Sequence, residues 1–306
     1  MMTSLCETYW QFMLTHGVLT GITMGFLLSP SMAAVSQYFH RRRGAAMGIA
    51  IAGSSIGSVV FPIILSKLLN ESDIGFGWTV RIAGFIMLPV LGFSILTVKT
   101  RLEPRKTKFF LPEAFKSRLY LCLIGATFFL FIGTFIPLFY ISSYAVSRGM
   151  NETLAGYLVA ILNSAGVPGR IIPGILGDKL GRLNALCAAG ISTAVLIFCW
   201  PSVMTDAGLI VFALAVGFTS GAIISAASVA VTLCAKDPRD VGTWLGQALA
   251  IASLAALGGG PANGALLKAF GGFEEVTYLS GSTCMVGALL VLVAKACTEQ
   301  GVFGKV

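Results

Sequence analysis

Residues 38–62 read YFHRRRGAAMGIAIAGSSIGSVVFP, a basic break (His40-Arg41-Arg42-Arg43) followed by a run that meets no further charge until Lys67. An α-helix needs about 20 predominantly apolar residues to cross roughly 30 Å of hydrocarbon. The run after Arg43 is long enough, and similar runs recur on both sides of it. Nine spans are expected, at 11–39, 44–69, 78–98, 119–147, 154–176, 183–202, 207–235, 241–269 and 274–297. Several exceed the bilayer thickness, so tilt or kinking is expected. Pro30, Pro62, Pro137, Pro168, Pro173 and Pro261 fall within or near spans. They read as bends rather than ends, because neighbouring helices can satisfy the backbone groups that proline frees.

Composition agrees. Hydrophobic residues make up 56% of the chain and charged residues 11%, with a mean hydropathy of +0.86. A soluble domain carries about 25% charged residues. The fold class is therefore an all-α polytopic membrane protein. The net charge of +8 sits in a few breaks, including Lys99, Arg101, Arg105, Lys106, Lys108, Lys116 and Arg118. That is the pattern of loops held inside by positive charge. No basic stripe is interleaved with aromatics, so no nucleic-acid partner is expected. Seven cysteines (6, 122, 187, 199, 234, 284 and 297) form no CxxC pair. They read as small apolar core residues rather than disulfides or metal ligands. Met1 to Trp10 lack the basic start and cleavage site of a signal peptide, so the first span would act as its own insertion signal.

With Arg41–Arg43 inside, the breaks at 99–118, 177–182 and 236–240 and the C-terminal tail also fall inside. Each carries Lys or Arg: Lys179 and Arg182, Lys236 and Arg239, and Lys305 in the last three. The intervening breaks hold two glycosylation sequons, at Asn70 and Asn151, whose acceptors must reach the lumenal side. Chance Asn-x-Ser/Thr is the competing explanation, but both sequons and the charge bias give one topology. Nine spans ending inside start outside, and 99–118 separates three spans from six. Many transporters join two six-helix halves by such a loop. The arithmetic predicts three further helices before Met1. Three regions follow: a partial helical bundle (1–98), a cytoplasmic basic linker (99–118), and a six-helix bundle with a short tail (119–306).

The stretch 38–62 resembles the fourth-to-fifth helix junction of the monocarboxylate porter family of the major facilitator superfamily, particularly its fungal members. Residues 156–184, GYLVAILNSAGVPGRIIPGILGDKLGRLN, resemble that family's eighth helix and following loop. The end of this stretch, Gly174-x-x-Gly177-Asp178-Lys179-x-Gly181-Arg182, is similar to the superfamily's inter-helix signature. The resemblance covers the chain as helices four to twelve. It implies a major facilitator fold with an incomplete N-terminal bundle of about three helices and a complete C-terminal bundle. It also implies a substrate cavity between two bundles and alternating access by rocking. The family's first two helices contribute to that cavity and have no counterpart here, so one expectation is a truncated chain that is inactive alone.

Arg170 lies in the middle of the fifth span. A guanidinium near the bilayer centre costs at least ~2.5 kcal/mol on insertion scales, so it should face a cavity or an acidic partner. The resemblance implicates an arginine at this position in binding the substrate carboxylate, a role that suits its planar fork. The structural alternative is an arginine paired to backbone carbonyls or to an acid on another helix. Animal members carry an aspartate one turn earlier, where this chain has Gly166, so proton coupling through such a pair is unsupported. By the same resemblance, Asp178, Lys179 and Arg182 form gating contacts; a solvated turn is the alternative. Arg81 reads as a snorkelling or interface-paired side chain.

Asn163, Gln247 and Asn263 are polar groups within spans, suited to interhelical hydrogen bonds or to cavity lining. Tyr140, Tyr144 and Tyr157 are candidates for an aromatic cavity wall, with Tyr144 also suited to an interfacial belt. The expected substrate-contacting set is Arg170, Asn163, Tyr140 and Gln247. The runs 48–57 and Gly258-Gly259-Gly260 read as surfaces for close helix approach, not phosphate cradles, since no GKS or GKT follows.

Enzyme chemistry is not expected. There are two histidines, His16 and His40, and no HExxH, cysteine–histidine metal spacing or GxSxG elbow. No cofactor or metal is expected. The leading expectation is a secondary transporter for a small organic acid, or another small metabolite, in the plasma membrane; a vacuolar or other internal membrane is the alternative. The rivals are an efflux transporter for a secondary metabolite, a non-transporting sensor or docking subunit using 99–118, and a gene-model fragment.

Overall fold

The computed structural model describes residues 1–39, 42–99, 101–102, 110–235, 237–298, 300–301 and 304. His40, Arg41, Arg105, Lys106, Lys108, Lys236 and Lys305 lie outside these. Among the described residues, nine helices are long and apolar enough to cross a membrane. They are α1 (Tyr9–Tyr38), α2 (Arg43–Asn70), α3 (Gly75–Thr97), α4 (Arg118–Ser147), α5 (Glu152–Leu180), α6 (Arg182–Cys199), α7 (Asp206–Val231), α8 (Val241–Phe270) and α9 (Glu274–Ala296). Their edges fall within a few residues of the hydropathy edges. Pro30, Pro62, Pro137, Pro168, Pro173 and Pro261 all lie inside helices, as does Pro89.

Two edges differ instructively. Residues 177–182 are not a six-residue break: α5 continues to Leu180, and only Gly181 separates it from α6. Gly181 has φ +107°, a conformation L-residues rarely adopt, so glycine makes the sharp turn possible. Asp178 and Lys179 therefore project from a helix, in fixed register with Arg170. At the second edge, α7 ends at Val231, four residues early, and a short turn follows.

Helix α5 is the centre of the packing. It lies most extensively against α7 and, across the 99–118 linker, against α2, while α9 packs on α4 and α6. Glycines set the α5–α7 approach. A Cβ on Gly217 would run into the Leu162 carbonyl, one on Gly169 into the Phe218 carbonyl, and one on Gly221 would lie 2.9 Å from the Gly166 carbonyl oxygen. Among small residues in lipid, such contact supplies the van der Waals attraction that the hydrophobic effect does not. Burial is uneven. Only 11% of the apolar windows of α1 and α3 is buried against protein, compared with 56% in α4 and α7. Across the 99–118 linker, α2 finds its main partner in α5. The described parts of that linker also fold onto the bundle. Arg101 Nη1 donates to the Gln37 carbonyl (3.2 Å), and Ala114, in a 3-10 turn (Pro112–Lys116), is fully buried.

Two expectations are corrected by this packing. Tyr144 is neither a cavity wall nor a belt residue. It is buried against Trp200 at a ring separation of 5.1 Å, and its hydroxyl donates towards carbonyls at the α6 end, including that of Val203 at 3.3 Å. The polar handle of the ring finds its partners inside the core, so nothing draws it to the interface. In the Gly258–Gly260 run, only a Cβ on Gly259 would meet a neighbouring helix, at Ile132; Cβ atoms on the other two would meet open space, and Gly260 touches α4 only through its carbonyl. Three consecutive residues on a helix cannot all face one partner.

Candidate functional site

Arg170, Asp178 and Arg182 gather along the α2–α5 seam. Small residues four apart on α2, Gly44 and Gly48, meet Gly174 and Arg170 on α5. A Cβ on Gly44 would lie 2.6 Å from the Gly174 carbonyl oxygen, and one on Gly48 would lie 2.5 Å from that of Arg170. The four-residue spacing keeps both contacts on one helix face.

At the basic end, Asp178 closes the seam. Its two carboxylate oxygens accept the backbone N–H groups of Gly44 and Ala45, each at 3.0 Å, and Oδ1 lies 3.6 Å from Arg182 Nη2. Gly44 and Ala45 occupy the first turn of α2, whose N–H groups have no acceptor within their own helix. A carboxylate there also meets the positive end of the helix dipole. Asp178 thus caps one helix from another. Lys179 stays apart: it is exposed and makes no hydrogen bond or ion pair among the described residues.

Arg170 sits two turns further in and is 8% exposed. Its Nη1 donates to the Ile51 carbonyl at 3.1 Å and to the Ser54 hydroxyl. No acid pairs with it among the described residues, and its Nε has no partner. Ser55 and Ser225, both fully buried, also carry hydroxyls without partners. Gly166 packs against Ser55, whose Oγ is 2.9 Å from the site of a Cβ there. The position one turn before Arg170 is therefore occupied by packing, not by a titratable group.

Towards the other end the seam opens into a cleft of about 520 Å³ lined by Pro62, Ser66, Asn70, Glu71, Glu152 and Tyr157. Both sequon asparagines belong to this end. Asn70 closes α2, and Asn151 caps α5 by accepting the Thr153 N–H at 2.9 Å. The seam is sealed at the end bearing Asp178 and Arg182, and open at the end bearing the sequons.

The other expected site residues do not join Arg170. The Asn163 amide donates to the Val159 carbonyl of its own helix (2.9 Å), and the Tyr140 hydroxyl donates to the Gly260 carbonyl on α8 (3.0 Å). Gln247 lines a separate cavity of about 880 Å³ with Ser29, Phe110, Phe115 and Arg239, and both its amide atoms lack partners. Asn263 is buried and donates to the Gly259 carbonyl. Arg81 donates to the Ser4 hydroxyl at 3.1 Å and lies over the Trp78 ring. Sequence reasoning missed Ile51 and Ser54 as partners of Arg170, Ser55 and Ser225 as buried hydroxyls beside Gly166 and Gly48, and the α2 N-terminus as the partner of Asp178. The small residues four apart at Gly44 and Gly48, and eight apart (two turns) at Gly166 and Gly174, are the signal that could have paired the two helices.

A family model described as Major Facilitator Superfamily matches residues 1–233. The chain belongs to the Major Facilitator Superfamily. Among its relatives, the "Aspyridones efflux protein apdF" of Emericella nidulans is 45% identical over 98% of this chain, and the chain spans 62% of that protein's length. The "Agnestins efflux protein AgnL12" of Paecilomyces divaricatus is 36% identical over 99% of the chain and 70% of its own length. Among solved structures, the superfamily transporter FucP in the outward conformation superposes with a TM-score of 0.74, covering 95% of this chain and 78% of FucP at 16% identity. That likeness bears on the fold alone. The chain is a multi-pass membrane protein of a transporter superfamily, and the two relatives named above are fungal proteins named for efflux.

Proposed function

We propose that the chain is a secondary transporter that exports a small secondary metabolite by alternating access, and that an acidic group on the substrate meets Arg170. The observation that carries export is the 45% identity, across 98% of the chain, to a relative named for efflux. This favours export of a secondary metabolite over a general carrier of small organic acids. The acidic-group reading rests on the resemblance to monocarboxylate porters and on the cation itself. Buried intramembrane charge is functional by default, and here no protein carboxylate neutralises it among the described residues.

In this reading the basic end is cytoplasmic and the sequon end faces out, across the plasma membrane. The α2–α5 seam is then closed inside and open outside, while the cavity holding Gln247 lies towards the inside, beside Arg239 and Phe110. Asp178 and Arg182 form the inner gate by holding α5 against the start of α2, and opening inward requires those hydrogen bonds to part. Proton coupling through a carboxylate one turn from Arg170 is no part of the proposal, since Gly166 holds that place.

Cells lacking endogenous efflux, loaded with labelled aromatic or polyketide carboxylic acids, test it. The chain should lower retention of at least one acid, and R170A should abolish the effect at equal surface abundance. Retention equal to that of empty cells, with folded protein at the surface, would sink export of acids by this chain.

A further inference from the structure

The bonds around Arg170 show a guanidinium held by borrowed partners. A guanidinium has five N–H donors, yet Arg170 makes two hydrogen bonds, both from Nη1, to the Ile51 carbonyl and the Ser54 hydroxyl. The Ser54 proton is already committed to the Ile51 carbonyl at 2.9 Å. The serine oxygen can therefore only accept, which suits the cation. Arg170 Nε, Ser55 Oγ and Ser225 Oγ lack partners in the same buried region. Such groups are rare in folded proteins and call for a reason. Exposure supplies the last point. Ser54 is exposed while Arg170 is nearly buried, so a ligand can reach the bond even though the cation lies beneath it.

We infer that Ser54 is a positioning residue that latches Arg170 to α2, and that an acidic ligand group competes with Ser54 and the Ile51 carbonyl for the guanidinium, so that binding loosens the seam. This rests on Arg170 as the acid-recognising group. A carboxylate offers the planar fork two parallel charge-assisted hydrogen bonds, a better match than a hydroxyl and a carbonyl. Because Arg170 is on α5 and its two present partners are on α2, exchanging them for ligand removes a contact across the seam. Ligand occupancy and seam opening are thereby one equilibrium, and a ligand shifts it by its differential affinity for the two states. The latch also lowers apparent affinity, because the competent arrangement is only fractionally populated.

The test uses the full chain with native cysteines replaced and spin labels at R42C and L180C, exposed positions on either side of the sealed end. Benzoate is the probe, with binding measured by calorimetry. S54A should raise the odds of the separated label population about fivefold without ligand and tighten benzoate binding about fivefold, the scale of one net hydrogen bond. S54T should restore both values. S58A should change neither, since the Ser58 hydroxyl bonds only the Ser54 carbonyl of its own helix. Saturating benzoate should move the wild-type distances the way S54A does. Distances unmoved by S54A, or benzoate drawing the labels together, overturn the latch. Benzoate binding that survives R170A overturns acid recognition by Arg170 and the competition with it. The two failures appear in separate readouts.

Discussion

Replacing Asp178 with alanine removes both acceptors that hold the first turn of α2 against α5. The loss can be sized from the geometry. Asp178 accepts two backbone N–H groups at 3.0 Å, the role of an N-cap side chain, whose removal costs about 1 kcal/mol. The carboxylate also faces the positive end of a 28-residue helix, and a charge at that position contributes about 0.3–1 kcal/mol. The Arg182 contact at 3.6 Å adds at most a few tenths, because it is partly solvated and joins neighbours in sequence. The total is about 2 kcal/mol, or roughly a 30-fold change in the sealed-to-open ratio at the basic end. D178N keeps one acceptor and loses the charge, so it should shift the ratio by only about fivefold. Spin labels at R42C and L180C read the populations directly. A D178A protein with unchanged distances would refute the gate, because the seam would then be sealed by helix packing alone.

The glycine seam gives a second prediction. G48V places carbon where only 2.5 Å separates it from the Arg170 carbonyl oxygen. It should force the helices apart at a cost of about 1–3 kcal/mol, seen as label separation without ligand. The aromatic core is structural. W200A, which removes a fully buried ring stacked 5.4 Å from Phe212, should cost about 3–5 kcal/mol in detergent denaturation. For Y144F the expected loss is about 1 kcal/mol, and neither variant should alter ligand affinity in the fraction that remains folded. Orientation is tested by glycosylation: in a eukaryotic host, a glycosidase-sensitive mobility shift should disappear in the double variant N70Q/N151Q. A wild type with no glycosidase-sensitive shift would contradict the sequons facing out.

The spans were legible because hydropathy belongs to each segment by itself. Twenty apolar residues in a row need a helix in lipid whatever surrounds them, so α2 and α8 could be drawn almost to the residue. Positions where segments meet were not. Arg170 stood out as an intramembrane cation, but its partners depend on the register of α2 against α5, which no single helix encodes. Tyr144 suits a cavity wall or an interfacial belt by its place in the span, and is a core residue by rotation about the helix axis. Charge and glycine end a hydropathy window before Asp178, whereas the backbone continues as helix until Gly181 turns it. Gln247 and Arg170 both read as substrate contacts, but Gln247 lines a cavity on α8 whereas Arg170 is buried in the α2–α5 seam, a separation set by the three-dimensional arrangement of α8 and α5.

The most direct measurement is counterflow of labelled benzoate in proteoliposomes holding the wild type, R170A and R170K. The account predicts saturable counterflow by the wild type, background flux for R170A and less than a tenth of wild-type flux for R170K, since an ammonium cannot reproduce the bidentate fork. Flux that survives in R170A, or a folded, inserted wild type with no saturable exchange, would contradict it.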